Sequence, residues 1–503
     1  MNVMGLDVGT TGCKATVLNE EGKVVASAYR EYALVSPRPG WHELNSAYVL
    51  KCAKQTIGEC TQRSKGDRIV ALSVSSLGEA VTPIDAKGEA LGNSIIYIDP
   101  RGADEAKHLE EKLGSDRILE ITGVAAHPMY SLPKIMWLKR HMPELYKSAW
   151  KFLLYADFIL FKLGARAHTD YSLAARTMGF DVVGKKWSEE VLGCAGMDLD
   201  KFGEPVQAGT VVGEIAKPLA DELGLPRGVL LVAGGHDQPC AALGSGAIWK
   251  NVAADGMGTT ECITPAFDRP VISRAMAACG FACVPHVIRD MYVTYAFSFT
   301  SGSMLKWFRD AFACEEKLES AKTGKDAYEI LIEKASRVNT NVFILPHFAG
   351  AATPYMDPDA KGVALGLGID TTREEIFKAI LEGITFEAMV NLECLEKAGI
   401  AVNELRVSGG LAKSDYMLQL KADMMGRKIV SLNASEAGTV GVAILAAAAG
   451  GIFKSIDEAV SRLVTVKKEY RPDDKRTLAY AEKFQTYKKI YPAFKSIAAS
   501  RGA

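Results

Sequence analysis

The sequence predicts an α/β protein of two facing domains, and three observations support this class. The chain has 503 residues, whereas a single domain usually has about 100–200. Short apolar runs typical of strands alternate with segments of helical spacing. An acidic residue and a Gly-Thr-Thr turn occur near the start of each half, at residues 7–11 and 255–260. A chance repeat is the alternative explanation for this last observation.

The composition excludes several classes of protein. Hydrophobic residues make up 48% and charged residues 24% of the chain, which is an ordinary globular balance. The formal net charge is −1, so no excess of positive charge indicates a nucleic-acid or anionic-membrane partner. The ten cysteines are scattered without a CxxC pair, and the N-terminus lacks a basic leader. We therefore expect a soluble cytoplasmic protein.

The first elements are expected to form an antiparallel meander, a helix and a further strand. Three apolar runs are separated by turn residues, at residues 3–6, 13–18 and 23–28. Asp7 stands at the end of the first run. Ser46 is a candidate helix cap, because apolar residues follow it at helical spacing. Residues 68–75 then predict a strand.

The domain boundary is expected near Gly244-Ser245-Gly246, shortly before the second Gly-Thr-Thr turn. This division gives an N-terminal domain of residues 1–246 and a C-terminal domain of residues 247–503. No low-complexity linker marks the boundary, so the two halves should share a broad interface. A helix after residue 474 closes the chain and should pack on its own domain.

The Gly-Thr turns are candidates for phosphate binding. Such a turn exposes several backbone N–H groups, and its hydroxyl groups add further donors. Asp7, beside the first turn, could hold Mg²⁺ through water, because this ion keeps most of its hydration shell. A plain hairpin turn is the alternative, which two turns in matching positions make less attractive. The P-loop, GxGxxG and HExxH motifs are missing from the sequence.

Residues 233–239 form another candidate segment, directly after the strand-like run 229–232. Polar residues that follow two glycines at a strand end lie where α/β folds place catalytic groups. Asp237 could accept a proton from a substrate hydroxyl, and Gln238 could position that hydroxyl. The alternative is that Asp237 only caps a helix.

Residues 407–414 predict a strand, the glycine pair Gly409-Gly410, and a helix capped by Ser414. The glycines would let a flat ring approach the backbone closely, although a simple β–α turn is the alternative. Downstream, residues 436–441 open a helix of small residues, a composition that suits tight helix packing.

Together these segments resemble the FGGY family of carbohydrate kinases, in the actin-like ATPase superfamily, over residues 3–460. Residues 129–141 fit the family's first signature at every constrained position. Residues 362–382 resemble the second signature, with Ala364 where a bulkier apolar residue is usual. Further segments are similar to the family, namely residues 169–172, residues 302–307, and Gly409-Gly410 with Gln419 and Asp423.

The resemblance implies two RNase H-like domains around a central cleft that binds ATP and Mg²⁺. It implies phosphoryl transfer to a sugar or polyol hydroxyl, with Asp237 as general base and Asp7 organising Mg²⁺. It places around the nucleotide Thr10, Thr11, Lys14, Gly258, Thr259, Gly302, Gly410 and Ser414. A non-catalytic actin-like ATP-binding protein is the rival class, since it would share the turns without needing a base. A homodimer is the default expectation.

The loop after the predicted strand 68–75 contributes sugar contacts in the family. Here it contains Gly78 and Glu79, where xylulokinases usually carry Gln-Met-His and glycerol kinases carry Arg-Glu. Glu79 can accept hydrogen bonds from two neighbouring hydroxyls and would repel a substrate carboxylate, which makes gluconate less expected. Met129 and Gln238 complete the predicted substrate-binding set with Asp237.

We therefore expect the substrate to be a neutral sugar or polyol, foremost a ketopentose, with glycerol or another polyol as the alternative. His236, next to the predicted base, is equally compatible with a sugar ligand and with a packing role. Asp99 and Arg101 resemble the family's Asp-x-Arg and either add contacts or link to the wall of the cleft.

Overall fold

The computed structural model describes residues 1–64, 68–433 and 436–499. Its strands are β1 (Asn2–Val8), β2 (Gly12–Asn19), β3 (Val24–Glu31), β4 (Glu43–Leu44), β5 (Ile69–Ser76), β6 (Val81–Ile84), β7 (Ser94–Ile95), β8 (Lys151–Leu154), β9 (His168–Asp170), β10 (Phe180–Asp181), β11 (Lys186–Trp187), β12 (Glu204–Val206), β13 (Val211–Glu214), β14 (Leu230–His236), β15 (Val252–Met257), β16 (Glu261–Phe267), β17 (Val284–Pro285), β18 (Tyr292–Val293), β19 (Ala296–Ser298), β20 (Phe343–Leu345), β21 (Val363–Leu365), β22 (Glu404–Ser408), β23 (Lys428–Leu432) and β24 (Val466–Tyr470).

Its α-helices are α1 (Ser46–Arg63), α2 (Ala103–Leu113), α3 (Ser115–Thr122), α4 (Ser131–His141), α5 (Pro143–Ser148), α6 (Tyr155–Leu163), α7 (Tyr171–Ala175), α8 (Glu189–Cys194), α9 (Lys217–Leu223), α10 (Asp237–Gly244), α11 (Arg274–Ala278), α12 (Gly302–Phe312), α13 (Cys314–Thr323), α14 (Ala327–Ser336), α15 (Arg373–Lys397), α16 (Asp415–Met425), α17 (Ala437–Ala449), α18 (Ile456–Leu463), α19 (Asp474–Tyr487) and α20 (Ile490–Ala499). Within the described residues, none of the helices combines the length and the apolar character needed to cross a bilayer.

The first part of the chain builds a six-stranded sheet, called the first sheet, in the order β13-β14-β5-β1-β2-β3. Strands β1, β2 and β3 form the antiparallel meander expected from the sequence. Strand β5 pairs in parallel with β1 on one side and with β14 on the other. The carboxyl ends of three neighbouring strands therefore meet at one edge of this sheet.

The second sheet has eight strands, with the path β17-β18-β16-β15-β22-β23-β24 and with β19 paired to β16. Strands β15 and β16 form an antiparallel hairpin, and β22 pairs in parallel with the other edge of β15. The first sheet has the same arrangement in β2, β1 and β5. The two Gly-Thr-Thr turns are the loops of these equivalent hairpins, and the predicted α/β class is confirmed.

Helices α10 and α17 pack in close backbone contact and join the two halves. Although α17 follows β23 in the chain, it packs on β1 and β5 of the first sheet. A Cβ atom at Gly441 of α17 would lie 1.8 Å from the carbonyl oxygen of Cys240 in α10. A Cβ at Gly244 or Gly5 would lie 1.9 Å or 2.1 Å from carbonyl oxygens of α17. The predicted helix of small residues therefore serves tight packing, and the boundary near residue 246 stays a prediction.

The acid that precedes the second turn, Asp255, lies in a buried ion cluster. Lys421 of α16 contacts both Asp255 and Glu261, and the three side chains are at most 4% exposed. Burial raises the pKa of Asp255 to about 7, although the Lys421 charge opposes this shift. Asp255 is thus an ion-pair partner in the core. Asp7 and Asp255 precede similar turns in the sequence, but the Asp255 carboxylate is not open to a ligand.

The helix caps agree with the sequence at one site and differ at another. Ser414 caps α16, as expected, and accepts a hydrogen bond from the backbone N–H of Met417. Asn45, rather than Ser46, caps α1, since its side chain accepts a hydrogen bond of 2.9 Å from the Tyr48 N–H. Asn and Ser are equally good caps, so the periodic pattern could not decide between two neighbours.

Replacing Gly441 by Ala should destabilise the protein, because the new methyl group would overlap the Cys240 carbonyl group. Overpacking costs about 1–3 kcal/mol and occasionally more, and we expect the upper end because backbone atoms must move. The measurement is the midpoint of urea unfolding followed by circular dichroism. Gly193→Ala is the matched control, since a Cβ there meets no atom within 4 Å. Equal midpoints for the two variants would contradict the close helix contact.

Candidate active site

The carboxyl ends of β1, β5 and β14 bring three of the predicted segments together. In the register of the first sheet, Asp7 pairs with Ser75, and Ser75 pairs with Gly235. The first Gly-Thr-Thr turn follows β1, the loop with Glu79 follows β5, and Asp237 follows β14. Ligands of α/β sheets bind at this edge, where the strands end.

Asp237 is the first residue of α10, and its carboxyl group reaches solvent. His236 occupies the cap position of this helix, so Asp237 is not the N-cap residue that the alternative interpretation required. The Asp237 side chain is 35% exposed, and its buried Oδ1 atom has no hydrogen-bond partner within the described part of the chain. A partly exposed carboxyl group with one oxygen free of hydrogen bonds among the described residues is suited to proton transfer.

The surroundings raise the pKa of Asp237 to about 8. Burial is the main cause, and the negative charges of Asp7 and Glu79 add to it. The backbone N–H of Gln238 and the Arg176 charge act in the opposite direction. A carboxyl group that titrates near neutral pH can both take up and release a proton at the pH of the cell.

His236 connects the predicted base with the second half of the chain. Its Nδ1 atom lies 3.1 Å from the hydroxyl oxygen of Tyr295, directly before β19. Its Nε2 atom lies 3.0 Å from Asp237 Oδ1, but without hydrogen-bond alignment. Burial and the Arg176 charge hold the pKa of His236 well below its usual range. The neutral ring is only 6% exposed, which favours a role in the wall of the site over that of a sugar ligand.

Glu79 lies in the site in a strained backbone conformation. Its φ of 62° is in the left-handed region, which costs a non-glycine residue about 1–3 kcal/mol and is frequent at functional sites. Arg176 donates a hydrogen bond of 2.6 Å from Nε to Glu79 Oε1, and its guanidinium lies 5.0 Å from the centroid of the Tyr130 ring. Glu79 is 4% exposed, so only a small part of its carboxylate can reach a ligand in the site, where it would accept hydrogen bonds from hydroxyl groups.

Gly78 leaves the space that Arg176 and His236 fill. A Cβ atom at Gly78 would lie 3.0 Å from the His236 ring and 3.3 Å from Cγ of Arg176. No arginine stands at position 78 itself. In the structure an arginine reaches Glu79 from the end of α7, 97 residues further along the chain.

The two remaining substrate candidates are half-buried near these groups. Gln238 is the second residue of α10, directly after the predicted base. Met129 precedes Tyr130, which packs on Arg176, and its backbone N–H donates to the ring of His127 at 3.1 Å. Gln238 is therefore placed beside the base, whereas Met129 belongs to the segment that covers Arg176.

Tyr97 also belongs to the site, although it was not among the predicted site residues. The residue is 41% exposed, and burial together with the charges of Glu79 and Asp237 raises its pKa. Asp99 behind it accepts a hydrogen bond of 2.9 Å from Nε of Arg101, and both residues are buried. Of the two alternatives, Asp99 and Arg101 thus form part of the wall.

Asp7 borders the site on the side of the first turn. Ser75 Oγ donates a hydrogen bond of 2.6 Å to Asp7 Oδ1. Burial raises the pKa of Asp7, the Ser75 hydrogen bond lowers it, and the charges of Glu436 and Lys14 act in opposite senses. A Cβ atom at Gly438 would lie 3.4 Å from the carboxyl group, so the missing side chain leaves room there.

One carboxylate with open space beside it fits Mg²⁺, because this ion binds proteins through few direct ligands and keeps several waters. Within the described residues, no group of three or more His, Cys, Asp or Glu side chains forms a closed metal site. The donor set around Asp7 is thus compatible with a hydrated hard cation and not with a coordination cage supplied by protein alone.

The first Gly-Thr-Thr turn presents its donors outward. The backbone N–H of Gly9 donates a hydrogen bond of 2.9 Å to the carbonyl oxygen of Gly12, and Tyr32 donates to the carbonyl oxygen of Gly9 at 2.7 Å. These bonds close the loop, while Thr10 is half-buried and Thr11 is exposed at its tip. The turn therefore offers hydroxyl and N–H donors that phosphate oxygens can use.

The second turn is held against the start of α12. The N–H of Gly302 donates to the carbonyl oxygen of Gly258 at 2.9 Å, and the N–H of Ser303 donates to that of Thr259 at 3.2 Å. A Cβ atom at Gly302 would lie only 2.6 Å from the Gly258 oxygen, so this approach requires glycine. The structure thus brings the predicted residues Gly258, Thr259 and Gly302 together.

The glycine pair after β22 lies next to the second turn. Gly409 has a φ of 97°, and a Cβ atom there would lie 2.5 Å from the carbonyl oxygen of Met257, where β15 ends. Gly410 is exposed, and a Cβ there would meet no atom within 4 Å. Ser414, four residues later, caps α16. The open backbone at Gly410 leaves a surface on which a flat ring can lie.

Sequence reasoning missed Arg176, Tyr295 and Glu436 as members of the site. Arg176 ends a short buried helix, and Tyr295 precedes a strand of three residues, so neither stands in a pattern with chemical meaning. Glu436 was noticed only because it opens the small-residue helix. A local signal for these residues does not exist, since their partners lie far away in the chain.

Known proteins are similar to this chain in sequence and in fold. Sequence models of the FGGY family of carbohydrate kinases match residues 2–244 with the N-terminal domain and residues 256–450 with the C-terminal domain. A xylulose kinase from Bacillus subtilis (strain 168) is 28% identical over 497 residues, which cover 98% of this chain and 97% of the relative. A gluconokinase from Bacillus licheniformis is 27% identical, over 98% of this chain and 94% of the relative.

The fold comparison agrees with the sequence comparison. The crystal structure of a ligand-bound xylulose kinase from Lactobacillus acidophilus matches with a TM-score of 0.87 and 26% identity, over 98% of each chain. The match includes both sheets, so the two-domain, actin-like fold implied by the resemblance is confirmed. With both family models matched over most of its length, the chain belongs to the FGGY family of carbohydrate kinases.

Proposed function

We propose that this carbohydrate kinase phosphorylates a hydroxyl group of a ketopentose, with Asp237 as general base and Mg²⁺ as the required ion. ATP is the co-substrate that the family implies. The observation that carries the proposal is the partly exposed carboxyl group of Asp237, whose Oδ1 atom lacks a hydrogen-bond partner within the described residues and whose pKa is raised by the charges of Asp7 and Glu79. Membership in a kinase family removes the non-catalytic alternative.

The arrangement can perform phosphoryl transfer with few chemical groups. The oxygen of the substrate hydroxyl attacks the terminal phosphorus of ATP while the bond from that phosphorus to the bridging oxygen breaks and ADP leaves. The hydroxyl proton passes to Asp237 late in this loose transition state. Thr10, Thr11 and Lys14 then hold phosphate oxygens from one side, and Gly258 and Thr259 hold them from the other. Mg²⁺, when bound beside Asp7, supplies neutralisation of phosphate charge. Gly302, Gly410 and Ser414 border the rest of the nucleotide.

The sugar end of the site supports a polyhydroxylated neutral substrate. Glu79 offers a largely buried carboxylate as an acceptor, and the Arg176 partner balances its charge. Gln238 and Tyr97 add groups that can both donate and accept hydrogen bonds. The full-length similarity to xylulose kinases points to a ketopentose within this class.

An aldonate is the second candidate substrate, because the structure reduces the repulsion that Glu79 would exert on a substrate carboxylate. Glu79 was expected to repel a carboxylate, yet its charge is offset by the buried Arg176. Relatives of similar identity include gluconokinases. Glycerol and other polyols remain the alternative within the neutral class.

The function is tested by measuring ADP release with ketopentoses, aldopentoses, polyols such as glycerol, and aldonates, each at several concentrations. We expect the highest kcat/KM for a ketopentose such as xylulose, because it matches the acceptor groups without introducing an unpaired charge. The control is the same assay without sugar. A higher kcat/KM for gluconate or glycerol would overturn the ketopentose assignment while leaving the kinase in place.

Asp237→Asn should still bind ATP and sugar but lose turnover, because the amide cannot accept the hydroxyl proton. General-base catalysis contributes about 10²–10⁴-fold, so we expect kcat to fall within this range while calorimetric affinities change little. Asp104→Asn is the matched control, an exposed acid in the first turn of α2. Turnover near that of the wild type would remove Asp237 from the mechanism.

The pH profile should report the raised pKa of Asp237. The base acts only when deprotonated, so kcat/KM for the sugar should fall with decreasing pH. The apparent pKa of this acidic limb should lie above the usual aspartate value near 4, in the direction of about 8. Glu79→Gln should move this limb to lower pH, because it removes a negative charge that raises the pKa. The control is Glu214→Gln at an exposed end of β13. A limb that stays in place in Glu79→Gln would contradict the electrostatic coupling.

We also infer a homodimer in the cytoplasm, as expected from the sequence. The support is general, since symmetric dimers are the commonest assembly of such enzymes. Sedimentation of the purified protein at micromolar concentration measures the assembly directly, and a mass of about 54 kDa, that of one chain, would refute the dimer.

A further inference from the structure

The first hairpin places an ammonium group directly opposite the carboxylate proposed to organise the metal. Lys14 of β2 is the register partner of Asp7 in β1, and residues opposite each other in an antiparallel pair have side chains within reach. In the structure, however, the two side chains have different partners. Asp7 Oδ1 accepts its hydrogen bond from Ser75, and Lys14 Nζ lies 2.5 Å from Oε1 of Glu436.

Glu436 reaches this place from the second half of the chain. It is the cap residue of α17, and its neighbour Gly438 lies directly beside the Asp7 carboxyl group. The close packing of α17 on β1 fixes the approach, since Thr439 contacts Gly5. Two carboxylates and one ammonium therefore meet at the end of β1, and the charges of Lys14 and Glu436 both act on Asp7.

The ion pair between Lys14 and Glu436 can be exchanged. Lys14 is 28% and Glu436 44% exposed, and ion pairs open to water contribute little to stability. A phosphate group carries more negative charge than a carboxylate and offers several acceptor oxygens, so it competes well for an ammonium group.

We propose that Glu436 is the resting partner of Lys14 and becomes the second carboxylate of the cation site once the nucleotide binds. In the nucleotide-free protein, Lys14 pairs with Glu436, and its positive charge near Asp7 keeps the affinity for a divalent cation low. When ATP binds, Lys14 moves to its phosphates, and Asp7 and Glu436 together face the hydrated cation. Nucleotide and metal then bind with positive coupling. The nucleotide draws the Lys14 ammonium group away from the cation site, and the cation neutralises the carboxylates that would otherwise hold Lys14.

This inference rests on the proposed placement of ATP and metal, and its test is separate from turnover. The probe is Mn²⁺ alone, added to nucleotide-free protein. Electron paramagnetic resonance measures the concentration of free Mn²⁺ and so gives its dissociation constant. Lys14→Met should tighten Mn²⁺ binding roughly tenfold, since it removes a competing charge at close range. Glu436→Gln should weaken it, since it removes a ligand charge. The two variants thus change one measured constant in opposite directions.

A second measurement follows the nucleotide. Glu436→Gln leaves Lys14 without its partner, so metal-free ATP should bind this variant several-fold more tightly than the wild type by calorimetry. The gain in ATP affinity on adding Mn²⁺ should become smaller in the same variant. The matched controls are Lys23→Met and Glu21→Gln, exposed residues in the turn before β3, which should leave all these constants unchanged.

The outcomes separate this proposal from the proposed function. Opposite shifts of Mn²⁺ affinity in the two variants support the exchange, whereas equal or absent shifts overturn it and leave the pair as a surface contact. If the wild-type protein releases ADP with a sugar but the two variants show no such shifts, the proposed kinase function stands and the proposed exchange of Lys14 is refuted. Circular dichroism spectra of both variants confirm that the hairpin still folds.

Discussion

The backbone contact between α10 and α17 positions two acidic groups of the site, at the starts of the two helices. Helix α10 starts with Asp237, and α17 starts directly after Glu436. Their axes can approach so closely only because Gly244 and Gly441 carry no side chain. Since α17 also lies against β1, the same contact sets the distance from these acids to Asp7. The positions of the acidic groups at this sheet edge thus depend on Gly244 and Gly441, two residues that lie in the helix contact and not in the site.

Local patterns were sufficient to predict much of this arrangement. The alternation of apolar and turn residues placed the first meander, and polar residues after a strand pointed to Asp237. The pattern could not separate Asp7 from Asp255, which precede similar turns. What distinguishes them is Lys421, more than 160 residues away, which pairs with one acid and buries it. Arg176 and Tyr295 were invisible for the same reason, because tertiary contacts alone give them a role.

The charges of the site are balanced at its sugar end and unbalanced at its phosphate end. Arg176 pairs with Glu79 under the substrate loop, and this pairing holds a strained backbone in place. Within the part of the chain that the structure describes, the Ser75 hydroxyl group is the direct hydrogen-bond partner of Asp7. A polar neutral molecule suits the first environment, whereas the second gains most from an added cation. On the proposed function, substrate recognition and the handling of phosphate charge would thus take place a few residues apart at one sheet edge.

The hydrogen bond between His236 and Tyr295 spans the two halves of the enzyme. If the halves separate to admit or release ligands, this bond must break, and the imidazole beside the base loses its anchor. Water that enters an open site then meets the Asp237 carboxyl group beside an imidazole that has lost its Tyr295 partner. Closure of the two halves restores that partner and excludes water, which would limit wasteful hydrolysis of ATP.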